Sequence, residues 1–311
     1  MKSHLSIIFL LLCTLNGFAQ QDTTIVVPRD VWIRYFEHKS TPNHSAIDDH
    51  RSYHNMVIAT DRPDQTESPY LVPKGRFQIE TGAWVEKDDD NTFSYTATTV
   101  NTTLWKYGIS DHAELRLITE YLDEKKNEKS TGLVTPYKGF NSVAIGGKFF
   151  LFEEHKFIPK VSLITHLQLP YWGAKDYRPN NIAPRFRFLF QHTLSDRFAL
   201  SYNLGSEWDG ITTNATLIYT MSLGINLIPN MAMFVETYGF MTENSGANGR
   251  FDGTFTHDHR LDAGFTYVLT NDLQLDVSGG IGINEISPDY FYSGGVSWRF
   301  PRASRIKSKN K

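Results

Sequence analysis

From residue 74 onward the chain is a succession of short segments in which apolar and polar residues alternate. A period of two belongs to strands with one apolar and one polar face, and matches to it predict about twelve strands. The first, near 75–86, sets Phe77, Ile79, Ala83 and Val85 against Gln78, Glu80, Trp84 and Glu86. The third opposes Ala113, Leu115, Leu117, Thr119 and Tyr121 to Glu114, Arg116 and Glu120, and the fifth opposes Val161, Leu163, Leu167 and Leu169 to Lys160, Ser162, His166 and Gln168. The sixth pairs Phe186, Phe188 and Phe190 with Arg185, Arg187 and Gln191; the seventh and eighth run 198–208 and 215–227. The tenth alternates Leu261, Ala263, Phe265 and Tyr267 with Arg260, Asp262 and Thr266; the eleventh alternates Leu273, Leu275 and Val277 with Gln274, Asp276 and Ser278. Segments near 93–107, 142–152 and 231–241 alternate less cleanly, and the first of these changes parity part-way, as at a bulge.

The last segment fixes the class. It places Tyr292, Gly294, Val296, Trp298 and Phe300 on one face and Ser293, Gly295, Ser297 and Arg299 on the other. A final strand ending Gly295-x-x-Trp298-x-Phe300 resembles the closing strand and insertion signal of outer-membrane barrels. The expected fold is therefore an all-β, antiparallel transmembrane barrel of about twelve strands, with lipid outside and a polar lumen inside. The connections agree. After even-numbered strands they are tight: Ile109-Ser110-Asp111, Glu154-His155-Lys156, Ser195-Asp196-Arg197, Ile228-Pro229-Asn230 and Thr270-Asn271-Asp272. After odd-numbered strands the expected loops include three long ones, 123–140, 170–183 and 242–257. Short turns on one rim and long loops on the other is the bacterial pattern, with the short side periplasmic. A soluble sandwich would also alternate, but it predicts neither the sorted loops nor the closing signal.

Composition changes little beyond this. Lys2 and His4 precede an apolar run from Leu5 to Leu15 and then Gly17-Phe18-Ala19, which predicts a signal peptide over 1–19. Removing it removes Cys13, the single cysteine, so the mature barrel has no thiol chemistry. Without Lys2, 30 Lys and Arg stand against 34 Asp and Glu, a net charge of about −4 that points to no nucleic-acid partner. The mean hydropathy of −0.36 does not argue against a membrane, because a barrel hides its apolar band in alternation. Aromatic residues, 14% of the chain, suit girdles at both interfaces: Phe198, Tyr267, Trp298 and Phe300 at the periplasmic one, Tyr121, Trp208 and Tyr292 at the outer.

The polar faces carry charge of both signs. The lumen-facing candidates are Glu80, Glu114, Arg116, Lys148, Arg187, Glu207, Glu236, Arg260, Asp262, Asp276 and Arg299. Charges this far from lipid must be solvated in a channel or paired across the barrel. Mixed signs with no single-sign ring favour ion pairing for most of them and indicate no strong ion selectivity.

Residues 20–73 do not alternate and are expected to form a periplasmic extension or a plug. They include the run Thr60-Asp61-Arg62-Pro63-Asp64-Gln65-Thr66-Glu67-Ser68-Pro69, just ahead of strand one. Together with Val72-Pro73-Lys74-Gly75-Arg76, Tyr107-Gly108, Gly146-Gly147-Lys148, Asn203-Leu204-Gly205 and Val235-Glu236, this run resembles bacterial outer-membrane transporters of the MetA-pathway phenol-degradation family. The resemblance covers about residues 58–300, and its most specific part is the Asp61–Glu67 run. It implies a barrel transporter or porin passing small, aromatic or hydrophobic solutes. Asp61, Arg62, Asp64 and Glu67 are the gate or plug candidates, docking against the lumen mouth.

A lipid-hydrolysing barrel needs a Ser two positions from its His on one strand face; His4-Leu5-Ser6 lies in the signal peptide, and His38-Lys39-Ser40 and His50-Arg51-Ser52 lie ahead of the first strand. His44, Asp48, Asp49, His50 and His54 are the metal candidates, with His50 and His54 four apart, but a solvated histidine-bearing polar tail explains them better. The expectation is therefore no catalytic residue, no metal and no cofactor. The expected partners are outer-membrane lipid, the barrel-assembly machinery and a small-molecule solute, and residues 301–311 form a basic periplasmic tail. The alternative is a closed structural or binding barrel without a conducting pore.

Overall fold

The computed structural model describes residues 57–246 and 251–300. The signal peptide, the 44–54 histidine set and the basic tail fall outside the described residues. Among the described residues, thirteen strands form one antiparallel sheet: β1 (Phe77–Asp89), β2 (Phe93–Ser110), β3 (Ala113–Glu128), β4 (Leu133–Phe140), β5 (Ala144–Phe152), β6 (Lys160–Gln168), β7 (Ala183–Thr193), β8 (Phe198–Trp208), β9 (Ala215–Ile228), β10 (Met231–Ser245), β11 (Phe251–Thr270), β12 (Leu273–Gly282) and β13 (Tyr290–Arg299). Strand β1 pairs with both β2 and β13, so the sheet closes on itself into a barrel, and only β4 pairs with a single neighbour, β3. A soluble sandwich is thereby excluded.

Twelve positions make up the wall because β4 and β5 share one. The first part of β3 pairs with β5, from Ala113↔Phe149 to Ile118↔Ala144. Its second part pairs with β4, from Tyr121↔Phe140 to Glu128↔Leu133. The break lies at Asn141–Val143, where Gly173 and Ala174 of the β6–β7 loop pack against Ser142 and Gly139.

Two of the expected long loops are instead strand. Residues 123–140 are the tip of β3 plus β4, and most of 242–257 belongs to β10 and β11. Strands β2 and β11 are 18 and 20 residues long, against the ~9–11 a tilted strand needs to cross a bilayer. Their outer ends stand in water on both faces, so no apolar alternation is required of them and none is visible in the sequence. The loop expected over 170–183 is coil with one 3-10 turn at Lys175–Tyr177.

The barrel is inside-out relative to a soluble protein. Leu115, Leu204 and Val277 are 54%, 52% and 55% exposed on the outer face, while Glu80, Lys148 and Asn203 are fully buried inside. Lipid solvates the apolar side chains, and the lumen has to satisfy its polar groups itself. The parity change expected in the second strand is present. Pairing of β2 with β3 skips between Val100 and Thr103, and Asn101 takes φ +60° there.

Candidate functional site in the lumen

Residues 57–75 form a loop inside the barrel. It enters at the periplasmic rim, where Ile58 N donates to Asn271 O (2.8 Å) in the β11–β12 turn. It leaves at the same rim, where Gly75 N donates to Gly108 O (2.7 Å). In between, side chains of the wall hold it. Gln78 Nε2 donates to Ala59 O (2.8 Å), Ser162 Oγ to Pro69 O (2.7 Å), and Val72 N donates to Glu114 Oε2 (2.6 Å).

At the centre, Asp61 collects three cations. Lys106 Nζ lies 2.9 Å from Oδ2, Arg116 Nη1 2.8 Å from Oδ2 and Lys148 Nζ 2.8 Å from Oδ1. Burial alone would raise the Asp61 pKa, but the charges of Lys106, Lys148 and Arg116 more than offset it and hold the carboxyl well below the ordinary range. Each cation has further partners: Glu80 at 2.5 Å from Lys106, Glu114 at 3.0 Å and Glu67 at 2.5 Å from Arg116. Lys148 donates to the carbonyls of Ser68 (2.7 Å) and Tyr70 (3.2 Å), and Ser68 N returns a bond to Asp61 Oδ1 (3.1 Å).

Arg62 turns to the opposite wall, where its Nη2 reaches Asp276 Oδ1 at 3.0 Å and Ser293 Oγ at 2.9 Å. Its guanidinium lies over the facing pair Gly82↔Gly295, and a Cβ on Gly295 would sit 2.5 Å from Arg62 Nε. Both glycines are therefore the floor of an arginine slot. The tip of the loop is held by Glu236, whose carboxylate accepts from Gln65 N and Thr66 N (2.7 Å each) and from the Thr66 hydroxyl. Glu67 is pinned at its backbone by Asn203, which accepts from its N at 2.8 Å and donates to its O at 3.0 Å.

The lumen carries both signs throughout, Glu80 and Glu114 among the cations and Arg260 and Arg299 among the acids, but near the loop each wall has an excess of one sign. Lys106, Arg116, Lys148 and Arg187 lie on β2, β3, β5 and β7, and Glu236, Asp262 and Asp276 on β10, β11 and β12. The loop matches this field at three points and opposes it at one. Asp61 and Glu67 face the basic wall and Arg62 the acidic one, but Asp64 sits beside Glu236. Burial and the Glu236 charge push the Asp64 pKa well above the ordinary carboxylate value. Glu236 is itself paired in register with Asp262, and among the described residues none of these three carboxylates has a cation within ion-pair distance.

The remaining candidates lie nearer the rims. Arg299 donates to Asp272 Oδ1 (2.7 Å) and Asn271 O (3.1 Å) at the periplasmic end. At the outer end Arg260 bridges Glu86 (2.6 Å) and Asp258 (2.7 Å), and Glu207 lies 3.9 Å from Arg187. Trp298 faces outward with its ring centroid 4.0 Å from that of Phe300, while Gly295 faces inward under Arg62.

Two sets of lumen residues escaped the sequence reading. Lys106 was hidden by the Asn101 bulge, which breaks the parity of its strand. An aromatic cluster was hidden apart from Trp84, which alternation already puts on the polar face, because it reverses the rule that the inner face is polar. Trp84 stacks on Phe291 at 4.5 Å, Tyr238 meets Phe291 at 6.2 Å and Phe240 at 5.9 Å, and Arg260 lies over Phe291 and Phe240. These rings explain why 231–241 does not read as a clean strand.

Below the loop, toward the periplasm, a cavity of about 230 Å³ remains. Its lining is mixed: Ile58, Leu71, Met233 and Phe234 with Gln191, Ser201 and Asn226 among others.

The fold is similar to that of an outer-membrane channel from Pseudomonas putida F1, at 11% identity and a TM-score of 0.62, over 76% of this chain and 100% of that one. The transport unit of the autotransporter AIDA-I from Escherichia coli also matches, at 11% identity and a TM-score of 0.48, over 73% of this chain and 89% of that one. Comparison with curated protein sequences gives no match. The sequence profile described as "Putative MetA-pathway of phenol degradation" matches residues 60–300, almost the whole loop and barrel, and the chain belongs to that family of outer-membrane barrels.

Proposed function

We propose that this barrel passes small apolar or aromatic solutes across the outer membrane, and that the 57–75 loop is a displaceable plug. The observation that carries the reading is how the loop is held. Its contacts inside the lumen are almost all side-chain bonds and ion pairs, with backbone bonds to the wall only at its two ends. A segment built into the sheet would have a backbone ladder; this one can detach without opening the wall. The cavity beneath it supports the solute class. At about 230 Å³ it exceeds the ~150 Å³ apolar cavity known to take up benzene. Its mixed lining, with Ile58, Leu71 and Phe234 set among Gln191, Ser201 and Asn226, suits a small ring bearing a polar substituent. The family's description, with its link to phenol degradation, points the same way. Passage needs no covalent step, and no catalytic residue is assigned. Cleavage after Ala19 and delivery by the barrel-assembly machinery through the Gly295, Trp298 and Phe300 signal belong to the same proposal.

The test is single-channel conductance of the refolded mature protein in a planar bilayer, with and without residues 22–66. Discrete salt-dependent steps that enlarge on deletion support a plugged channel. Silence from both forms, shown to be folded, refutes it and leaves a closed structural or binding barrel.

A further inference from the structure

On the outer side of the loop tip the lumen already holds a carboxylate, that of Glu67, and shows how it would bind another. Arg116 Nη2 takes Glu67 Oε2 at 2.5 Å, and Arg187 Nη1 stands 3.9 Å from Oε1. Arg187 is weakly engaged elsewhere, by Gln65 Oε1 and O at 3.3 and 3.4 Å and Glu207 at 3.9 Å. Arg185 lies on the same face of β7, two residues nearer the outer mouth, and its side chain makes no ion pair or hydrogen bond among the described residues. His166, opposite Arg185 in register, accepts from Arg116 Nε at its Nε2 (3.3 Å). An imidazole nitrogen that accepts carries no proton, so His166 adds no charge and serves to aim Arg116.

This is a half-filled anion site. Arginine forks suit a planar carboxylate bound through both oxygens, and here Glu67 occupies one arginine closely and leaves two available. Ile118 and Ile164 supply an apolar flank. The free space among Glu67, His166, Arg185 and Arg187 is only about 20 Å³, room for one water and not for a solute head. A carboxylate arriving from outside can therefore bind fully only by moving Glu67 off Arg116. That movement would release the loop tip next to Asn203 and Glu236.

We propose that the solute is a monocarboxylate with an apolar or aromatic body, received by Arg185 and Arg187, which competes with Glu67 for Arg116 and so loosens the plug. The proposal rests on the passage reading and narrows its substrate class.

Entry of benzoate and of benzamide, nearly isosteric and differing in charge, is measured into liposomes carrying the refolded full-length barrel at neutral pH, as the rate in excess of protein-free liposomes. Losing charge-assisted hydrogen bonds is worth on the order of tenfold or more, so benzoate should enter about tenfold faster than benzamide. Arg185→Gln should bring the ratio toward one. Glu67→Gln, which removes the tethered competitor, should lower the benzoate concentration at half-maximal rate several-fold. If Arg185→Gln fails the heat-shift test for a folded barrel, Arg185→Lys, which keeps the charge but not the fork, should give an intermediate ratio. Equal entry of both probes into wild-type liposomes, or a ratio indifferent to Arg185, overturns the carboxylate proposal and leaves passage standing. Entry of neither probe overturns passage, and the carboxylate proposal with it.

Discussion

Replacing Asp61 by Asn is the sharpest perturbation of the plug. Asn keeps the size and removes one negative charge from among three buried cations. Two of these keep a carboxylate: Lys106 has Glu80, and Arg116 has Glu114 and Glu67. Lys148 keeps only the carbonyls of Ser68 and Tyr70, both on the loop itself. Removing one partner of a buried ion pair costs roughly 3–5 kcal/mol, because the other charge is left desolvated and unpaired. The Asn amide can still accept through its Oδ1 from one donor, so the lower end of that range, about 3 kcal/mol, is expected. If the cost falls on the docked loop, its closed-to-open ratio drops by about two orders of magnitude. The assay is single-channel recording, read as open probability, with the fraction of heat-resistant folded barrel measured on the same preparation. Asp61→Asn should open far more often than wild type while remaining folded, since the loop is not part of the wall. Wild-type open probability in a folded Asp61→Asn barrel would refute the view that this ion cluster holds the plug.

Three further outcomes follow from the same geometry. Asp64 has a raised pKa when docked, so the docked loop binds its proton more tightly than a free one; closure should be strongest in acid and weaken as pH rises from the ordinary carboxylate value of 3.8 through the raised one, and Asp64→Asn should flatten that part of the open probability–pH curve. Asp61 has the opposite sign, its contribution being complete above the ordinary range and lost only below it, so a wild-type curve that shows more opening in mild acid would contradict both assignments. Gly295→Ala would set a Cβ against Arg62 Nε (2.5 Å) and the Thr81 carbonyl of the wall (2.6 Å), an overpacking cost of about 1–3 kcal/mol; in the fraction that stays heat-resistant and folded conductance should rise, and unchanged conductance there would mean the slot is slack. Replacing the β3–β4 tip, residues 124–138, by a short turn should leave the thermal melt of the barrel unchanged, because the wall there is closed by β3–β5 pairing lower down.

What could be read from the sequence divides along physical lines. Wherever a strand meets lipid on one face and lumen on the other, alternation is forced, and β3, β6, β7, β11 and β12 are plain in their bilayer-crossing parts. Outside the bilayer that force is absent, so the outer ends of β3, β10 and β11 looked like loop. Inside the lumen the rule fails in β10, where Phe234, Tyr238 and Phe240 fill space that water or charge fills elsewhere. The run Asp61 to Glu67 stood out by its charge density, and its four charged residues do meet wall residues of the lumen. Which wall each meets needed the closed barrel, because opposite walls are brought together only by the closure. Asp64 beside Glu236, 172 positions apart, has no local signature at all.

The 57–75 loop begins and ends at the same rim, tied near Asn271 at one end and Gly108 at the other. Its path is that of a bight of rope laid into a cylinder, not a line threaded through it. Such a bight can be drawn out backwards, one contact after another, without any part of it passing the outer mouth and without cutting or reopening the sheet. Tension applied from the periplasm at residue 57 would peel Ile58, then Thr60, then the Asp61 cluster in order, so the work is spread along the pull. The far attachment, Gly75 N on Gly108 O, stays fastened throughout and keeps the strand within reach for return. On the plug reading proposed above, withdrawal and reinsertion would be matters of mechanics along one short cord, with no unfolding of the cylinder around it.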